Sequence, residues 1–408
     1  AALARYHRDQ GRKVRVFKMG PDYLDPQILQ QASGQPVTQL DLWMAGTEYC
    51  RQQFYLAAQT ADLILVEGAM GMFDGEPSSA DLAATFGIPI ALVMDVKGMA
   101  QTAAAVALGL ATYRDDVTVV GLIANNCGTE RHAQLVRDAL GERMPLLAHL
   151  ARDEEVALPE RHLGLVQAEE VSEQLEEKFN LGKVWLNEQA ICDLPAPVAF
   201  ADQHIADPQP LLAGKRIGIA KDQAFSFIYS ANTGLLQAMG AELHYFSPMH
   251  DAQLPEVDAL WLPGGYPELH AQKLAANQTM RQAVQDFYVS GKAILAECGG
   301  FLYCLESLTD LQQDTWPMAS IMAGQGAMRG KRGCQGMQLA PLPEGDIRGH
   351  AHHRSRSQNS PEPIAHGRRQ RHSAPGEAIY RERGLTASYL HLFFPSNPAA
   401  TAALFGVK

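Results

Sequence analysis

Apolar, β-rich runs alternate with helical stretches through the first half of the chain. The runs lie at residues 14–19, 63–68, 88–96 and 117–126, and helical stretches are predicted around 51–60 and from about Met99. Runs that are apolar on both faces and separated by helices indicate a parallel sheet covered on both sides. This half is therefore predicted to be an α/β domain, with its loops at the carboxyl ends of the strands forming the ligand crevice.

A second α/β series follows a proline-rich stretch at 187–214, where repeated prolines stop both helix and sheet. Its predicted elements are strands at 215–222, 241–246, 258–265 and 292–300, a helix from Pro267 to about Ser290, a strand at 387–394 and a terminal helix. The pattern predicts two domains, 1–186 and 215–408, joined by a linker at 187–214.

Composition and charge narrow the class of protein. A length of 408 residues suits two cores, and the chain is 46% hydrophobic and 19% charged, as globular proteins are. No apolar run reaches the roughly 18–20 residues that a membrane span needs. The net charge of −11 argues against a nucleic-acid partner. Six cysteines without C-x-x-C pairs predict reduced thiols and a cytoplasmic location. Oligomeric state stays open.

The sharpest local signal is an apolar strand that runs into Cys298 and then into two glycines that open a helix. This pattern predicts a nucleophile elbow, in which a tight turn presents the sulfur and the helix N-terminus lowers the thiol pKa. Gly264 and Gly265 end an earlier strand, and their N–H groups, with that of Gly299, are candidates to hold an oxyanion.

His391 is the candidate base for this cysteine, since it lies in an apolar strand where its ring would be held in place. Taken alone, a cysteine is more often a small core residue and a histidine in such a strand a buried structural one. The two together favour catalysis. His350, His352 and His353 are expected in a solvated polar loop without a metal.

Two acidic loops follow the first strands, one with Asp22 and Asp25 and the other with Glu67 and Asp74. Each aspartate alone is typical of a turn. Together at one sheet edge they predict a nucleotide site, with Glu67 and Asp74 as candidate Mg²⁺ ligands because hard oxygen donors suit that ion.

Three segments, PGGYPE (263–268), AECGG (296–300) and SYLH (388–391), together resemble the class I glutamine amidotransferase domain of the cobyrinate and cobyrate amidating enzymes. The resemblance implies that Cys298 attacks the side-chain amide of L-glutamine, forming a glutamyl thioester and freeing ammonia, with His391 as base. Many class I enzymes have a glutamate two residues after the histidine, but this chain has Phe393 there. The third member of the triad is therefore unassigned.

The first half carries a matching resemblance. KMGPDYLDP (18–26), EGAMGMFDG (67–75) and LPERHLGLV (158–166) resemble the amino-terminal domain of the cobyrinate a,c-diamide synthase family, which is related to dethiobiotin synthetase. This implies that cobyrinate is amidated with ATP as co-substrate and Mg²⁺ as cofactor. By the same resemblance, Asp22, Tyr23, Leu24 and Asp25 border the substrate and nucleotide site, whereas Glu67 and Asp74 assist the metal and carboxylate activation.

The phosphate-binding P-loop motif G-x-x-x-x-G-K-[ST] does not occur in the sequence, although such a fold should carry it between its first strand and first helix. The opening residues read as the end of a helix closed by Gly11. We expect one further strand and a P-loop, roughly two dozen residues, ahead of Ala1. As given, the chain is then expected to retain at most glutaminase activity.

Other functions remain open at this point. Within the family, the substrate could be hydrogenobyrinate or another corrin carboxylate. From other classes, a non-catalytic corrinoid or nucleotide carrier and a plain cysteine hydrolase fit parts of the pattern.

Overall fold

A computed structural model describes residues 1–157, 160–161, 164–165, 171–202, 204–329, 333 and 335–406. The chain folds into two compact units, Ala1–Ile205 and Ala206–Lys408. The division between them falls inside the proline-rich stretch 187–214. Both units contain parallel sheets with helices between the strands, so the predicted α/β class is confirmed.

The amino-terminal unit alternates strands and helices. Its helices are α1 (Ala2–Asp9), α2 (Asp25–Ser33), α3 (Thr47–Ala58), α4 (Ser79–Phe86), α5 (Gln101–Thr112), α6 (Glu130–Leu140) and α7 (Ser172–Val184). Its strands are β1 (Val14–Met19), β2 (Thr38–Leu40), β3 (Leu63–Glu67), β4 (Ile90–Asp95), β5 (Val119–Cys127), β6 (Leu146–Ala151), β7 (Glu160–Arg161) and β8 (Gly164–Leu165). Apart from β7 and β8, the segment 158–166 lies outside the described residues.

Two parallel three-stranded sheets build this unit, in the orders β2-β1-β3 and β4-β5-β6. In the first sheet the chain passes from β1 to β2 on one side and then to β3 on the other. The loops that leave β1 and β3 therefore meet at the point where strand order reverses, which is the usual ligand crevice of such sheets. A methyl group placed on Gly20 would lie 3.6 Å from Ala69 Cβ, so the two acidic loops are in contact.

The carboxy-terminal unit begins with the same alternation and ends in antiparallel strands. Its helices are α8 (Ser230–Ala238), α9 (Ala271–Ala276), α10 (Gln278–Val289), α11 (Gly299–Cys304) and α12 (Pro398–Leu404). Its strands are β9 (Arg216–Ala220), β10 (Glu242–Phe246), β11 (Ala259–Leu262), β12 (Ala293–Glu297), β13 (Ser307–Thr309), β14 (Thr315–Pro317), β15 (Gln325–Met328), β16 (Gln335–Leu342), β17 (Gly345–His352), β18 (Ser355–Gln358), β19 (Ala365–Arg369), β20 (Pro375–Glu382), β21 (Leu385–Ser388) and β22 (His391–Leu392).

Ten strands form one sheet in the order β10-β9-β11-β12-β21-β20-β19-β16-β17-β22, and β14-β13-β15-β18 form a smaller one. The first five strands of the large sheet are parallel and the rest antiparallel. Strand order reverses between β9 and β11, so the loops after β11 and β12 open into one crevice.

Strand β11 shows why this sheet is covered on both faces. Its four side chains are fully buried, and they alternate between two apolar clusters. Leu260 and Leu262 pack with Phe301 in one cluster, whereas Trp261 packs with Phe394 in the other. An all-apolar strand of this kind is stable only with a layer on each side.

Two predicted elements are wrong in detail. The single helix expected from Pro267 to Ser290 is a 3₁₀ turn followed by α9 and α10, and Asn277 caps α10 by accepting the Met280 N–H at 3.3 Å. The single strand expected at 387–394 is broken between β21 and β22, because β21 pairs with β12 and β20 while β22 pairs with β17.

Across the part of the chain that the structure describes, no helix has the length and hydrophobicity needed to cross a bilayer.

The close contact between α11 and β11 makes a prediction about stability. A methyl group on Gly300 would collide with the Leu262 carbonyl oxygen, whereas one on Gly234, inside α8, has no neighbour within 4 Å. We expect Gly300→Ala to lower the free energy of unfolding by about 1–3 kcal/mol or more. The control Gly234→Ala should be neutral or gain up to about 1 kcal/mol. Chemical denaturation measures both, and equal stabilities would contradict the packing described.

Candidate active sites of the two units

Cys298 sits at the turn between β12 and α11, as the sequence predicts. Its backbone has φ 47° and ψ −102°, a left-handed conformation that non-glycine residues seldom adopt. Such strain costs on the order of 1–3 kcal/mol and persists only where surrounding contacts impose it. Here the Cys298 N–H donates to the Ser388 carbonyl at 2.8 Å, and its own carbonyl accepts the Leu302 N–H at 3.0 Å.

The predicted glycine loop lies between Cys298 and His391. A methyl group on Gly299 would lie 2.9 Å from the Gly265 nitrogen, and one on Gly264 would collide with the His391 ring. The residue after the nucleophile and the candidate base therefore touch the same short loop. The Gly299 N–H also hydrogen-bonds to the Cys298 sulfur. The structure thus brings Cys298, His391 and the three predicted glycines into one place.

His391 is buried and held by strand pairing. It lies opposite His350 in the β17–β22 register, and the two rings stack with centroids 5.0 Å apart. Burial, together with the charges of His353 and His352, lowers the pKa of His391 to about 3. Near neutral pH the ring is therefore uncharged and able to accept a proton.

The cysteine differs from expectation in its acidity. Burial raises the pKa of the Cys298 thiol above its usual value, and the negative charge of Glu268 adds to this. The Gly299 N–H at the start of α11 lowers this pKa as predicted, but burial outweighs it, because α11 has only six residues and the sulfur is almost completely buried. The pair rests as a neutral thiol and a neutral imidazole.

The histidines expected in a solvated loop are also placed differently. His350 lies on β17 and is buried, with its Nδ1 3.2 Å from the Tyr229 hydroxyl. His353 is buried too, with its Nε2 2.9 Å from Glu377 Oε1 and its ring stacked 3.9 Å from that of Tyr389. His350 and His353 therefore lie on a core strand and directly after it, each with a polar partner, whereas His352 is half-buried.

The acidic crevice of the amino-terminal unit is organised by a residue that the sequence analysis did not single out. The ammonium group of Lys18 lies among three carboxylates, which together with it form the Lys18 cluster. Its Nζ is 2.7 Å from Asp25, 2.8 Å from Glu67 and 3.5 Å from Asp22. Its side chain is 6% exposed, so the ammonium is almost fully withdrawn from water. Burial alone would lower the Lys18 pKa, but the three carboxylates raise it above its usual value.

The two aspartates of this cluster have different acidities. Burial, together with the charge of Asp25, raises the pKa of Asp22 to about 6. Burial also opposes ionisation of Asp25, but Lys18 holds its pKa below the usual value. Asp22 accepts the backbone N–H of Leu24 at 2.9 Å, and the side chains of Tyr23 and Leu24 are buried beside it.

Asp74 is not joined to this cluster by the ion pairs of Lys18. Its carboxylate lies against Gly71, where a methyl group would collide with it. Across the described residues, no group of three or more His, Cys, Asp or Glu side chains is placed to hold a metal ion by itself. The oxygen donors of Asp25 and Glu67 nevertheless suit Mg²⁺, since one or two carboxylates suffice where phosphates complete its shell.

Comparison with known proteins agrees with the geometry of both units. Residues 216–399 match the CobB/CobQ-like glutamine amidotransferase domain, and residues 1–166 match the CobQ/CobB/MinD/ParA nucleotide binding domain. Hydrogenobyrinate a,c-diamide synthase of Stutzerimonas stutzeri is 48% identical over 99% of this chain and 94% of its own length. The chain belongs to the a,c-diamide synthase family.

Further members of the family match over nearly the same span. Hydrogenobyrinate a,c-diamide synthase of Pseudomonas aeruginosa is 47% identical over 99% of this chain and 93% of its own length. Cobyrinate a,c-diamide synthase of Herminiimonas arsenicoxydans is 46% identical over 99% of this chain and 92% of its own length. The recognition made from sequence motifs is therefore confirmed at the level of the family.

Sequence reasoning missed Lys18 and Glu297, which are both charged residues inside apolar strands. Glu297 directly precedes Cys298 and is fully buried, with one oxygen 2.8 Å from the Leu392 nitrogen and the other 2.9 Å from Trp261 Nε1. The available signal was the charge itself, because a buried ionisable residue in a strand needs a specific partner.

The Lys18 cluster leads to a second prediction about stability. Lys18→Met leaves Asp25 and Glu67 without their counter-charge, and we expect the free energy of unfolding of the amino-terminal unit to fall by about 1–3 kcal/mol. Lys183→Met, which breaks the exposed pair with Asp9, is the control and should cost less than about 1 kcal/mol. Urea unfolding followed by fluorescence compares them. Equal losses would show that Lys18 does not organise the crevice.

Proposed function

We propose that the protein is a glutamine-dependent ligase that converts the a and c carboxylates of cobyrinate or hydrogenobyrinate into amides with ATP. The observation that carries the proposal is the arrangement around Cys298. A strained turn, the glycine loop and His391 meet there, as hydrolysis of a glutamine amide requires. The charged crevice of the amino-terminal unit and the membership of the family support the ligase half.

Glutamine hydrolysis starts from a neutral thiol and a neutral imidazole. The Cys298 thiol gives its proton to His391 as the sulfur attacks the side-chain carbonyl carbon of glutamine. The imidazolium then protonates the leaving nitrogen, so that ammonia departs and a glutamyl thioester remains. Water hydrolyses the thioester to glutamate and restores the thiol. Across the whole cycle, protons pass through His391, and both the Cys298 thiol and the imidazole return to their neutral forms.

The glycine loop supplies stabilisation for the charge that develops on the carbonyl oxygen. The Gly299 N–H faces the sulfur, and the Gly265 nitrogen lies against the same residue. The Gly264 carbonyl is occupied by the Ser226 and Phe227 N–H groups at 3.1 and 3.0 Å, which fixes the loop. Donors fixed before the reaction stabilise an oxyanion without reorganisation, which is worth about 3–4 kcal/mol for one donor.

Amidation is assigned to the amino-terminal unit. A substrate carboxylate takes the γ-phosphoryl group of ATP to form an acyl phosphate and ADP. Ammonia then attacks the acyl carbon and releases phosphate. Mg²⁺, when bound with ATP, would neutralise phosphate charge, with Asp25 and Glu67 as its candidate protein ligands. Lys18 holds these two carboxylates in place, while Asp22, Tyr23 and Leu24 border the same loop.

The choice between the two corrin substrates is part of the proposal. Two of the three relatives described above are named for hydrogenobyrinate and one for cobyrinate. We favour hydrogenobyrinate because the names at 48% and 47% identity agree on it. Parallel assays with each acid, ATP, Mg²⁺ and glutamine, with product masses read over time, decide which is used faster.

Replacing the nucleophile tests the proposed function. Cys298→Ala is expected to abolish glutamine hydrolysis and glutamine-fed amidation, because no thioester forms. In protein that contains the P-loop, amidation fed by ammonium should continue at a rate within about threefold of the wild type, since the acyl phosphate does not involve the thiol. Cys304→Ala, which removes another buried cysteine of the same helix, is the control and should keep both activities.

Two outcomes would refute this assignment. Unchanged glutamine use by Cys298→Ala would remove the cysteine from the mechanism. Wild-type protein that neither hydrolyses glutamine nor amidates a corrin would favour a carrier. Glutamine hydrolysis with no amidation from either nitrogen source, by protein that contains the P-loop, would favour a cysteine hydrolase.

A further inference from the structure

Glu297 is a carboxylate buried beside the nucleophile. It is 2% exposed, and it occupies the last position of β12, directly before Cys298. Its two oxygens accept different donors, the Leu392 N–H at 2.8 Å and the Trp261 indole N–H at 2.9 Å. Burial raises the pKa of Glu297 to about 8, so the interior opposes its charge. A buried acid retained under this penalty calls for a specific use.

The partners of Glu297 carry the other parts of the glutaminase site. Leu392 follows His391 on β22, and Trp261 is the next-to-last residue of β11, three residues before Gly264. One side chain therefore links three segments that bear the nucleophile, the oxyanion loop and the base. In the sheet, β12 and β22 are separated by five other strands, so strand pairing alone does not set this distance.

The backbone at Leu392 is fixed from both sides. Its N–H is held by Glu297, and its carbonyl accepts the Asn232 side-chain amide at 2.8 Å. Phe393 occupies the place where many class I enzymes carry a glutamate. It is fully buried, with its N–H donating to the Arg348 carbonyl at 2.8 Å, and it offers no side-chain acceptor. Positioning of the histidine has to come from another residue.

We propose that Glu297 is the positioning residue that aligns His391 with the Cys298 sulfur, acting through the backbone of Leu392 and the indole of Trp261. The inference rests on the proposed glutaminase function. It places the missing acidic partner of the site on the nucleophile strand, one residue before the cysteine. A carboxyl group is required because both partners are donors and each of its two oxygens can accept one of them, whereas a glutamine side chain has a single acceptor oxygen.

The test is Glu297→Gln in the whole protein, with steady-state glutamine hydrolysis and ammonium-fed amidation measured side by side. We expect kcat for glutamine hydrolysis to fall about 100-fold, as a misplaced catalytic group does, with KM within about twofold. Ammonium-fed amidation should keep the wild-type rate, because it does not use His391.

A matched control separates positioning from a general loss of stability. Asp310 is another buried carboxylate of this unit, and it accepts the Trp316 indole at 2.9 Å and the backbone N–H groups of Gln312 and Asp314. Asp310→Asn should therefore weaken folding comparably and leave kcat for glutamine within about threefold of wild type. Trp261→Phe, which removes one donor and keeps a ring, should lower kcat severalfold and provides the test if Glu297→Gln does not fold.

The outcomes are distinct. A loss of kcat in Glu297→Gln with an active Asp310→Asn supports the inference. Wild-type kcat in Glu297→Gln, or equal losses in both variants, overturns it while the proposed function stands. Wild-type protein that does not hydrolyse glutamine overturns both.

Discussion

The left-handed turn at Cys298 is the constraint on which the glutaminase site depends. A strand can pass into a helix at one residue only if that residue takes a strained conformation and its neighbours are small. Gly299 and Gly300 let α11 lie directly on the loop and strand of residues 262–265. The cost of the strained turn is offset by a core that covers both faces of the sheet. The position of the Cys298 sulfur is thereby set by the fold itself.

Burial has opposite effects on the two members of the catalytic pair. It raises the pKa of the Cys298 thiol and lowers that of His391 to about 3, so both rest uncharged. Proton transfer from Cys298 to His391 would create an ion pair, whose charges need hydrogen-bond donors to stabilise them. The N–H groups of the glycine loop lie where negative charge develops on the substrate oxygen. The arrangement keeps the Cys298 thiol protonated before glutamine binds. It favours attack by the sulfur once the glutamine amide occupies the glycine loop.

The sequence predicts those parts of the glutaminase site that depend on residues next to one another along the chain. An apolar strand followed by Cys298 and two glycines defines the turn, and Gly264 and His391 are recognisable in the same way. Lys18, which meets Glu67 across 49 residues, and Glu297, which meets Leu392 across 95, depend on contacts that only the fold creates. The buried state of His350 was misjudged for the same reason, since a polar run reads as a loop until a sheet covers it.

The central claim is that the turn presents Cys298, alone among the cysteines that the structure describes, to a bound glutamine. A diazoketone analogue of glutamine, followed by peptide mapping, tests this directly. The analogue alkylates the thiol that would otherwise attack the side-chain amide of glutamine. We expect one adduct, on the peptide that carries Cys298, and protection by excess glutamine. No adduct, or labelling of Cys298 no faster than that of Cys304 or Cys50, would contradict the account.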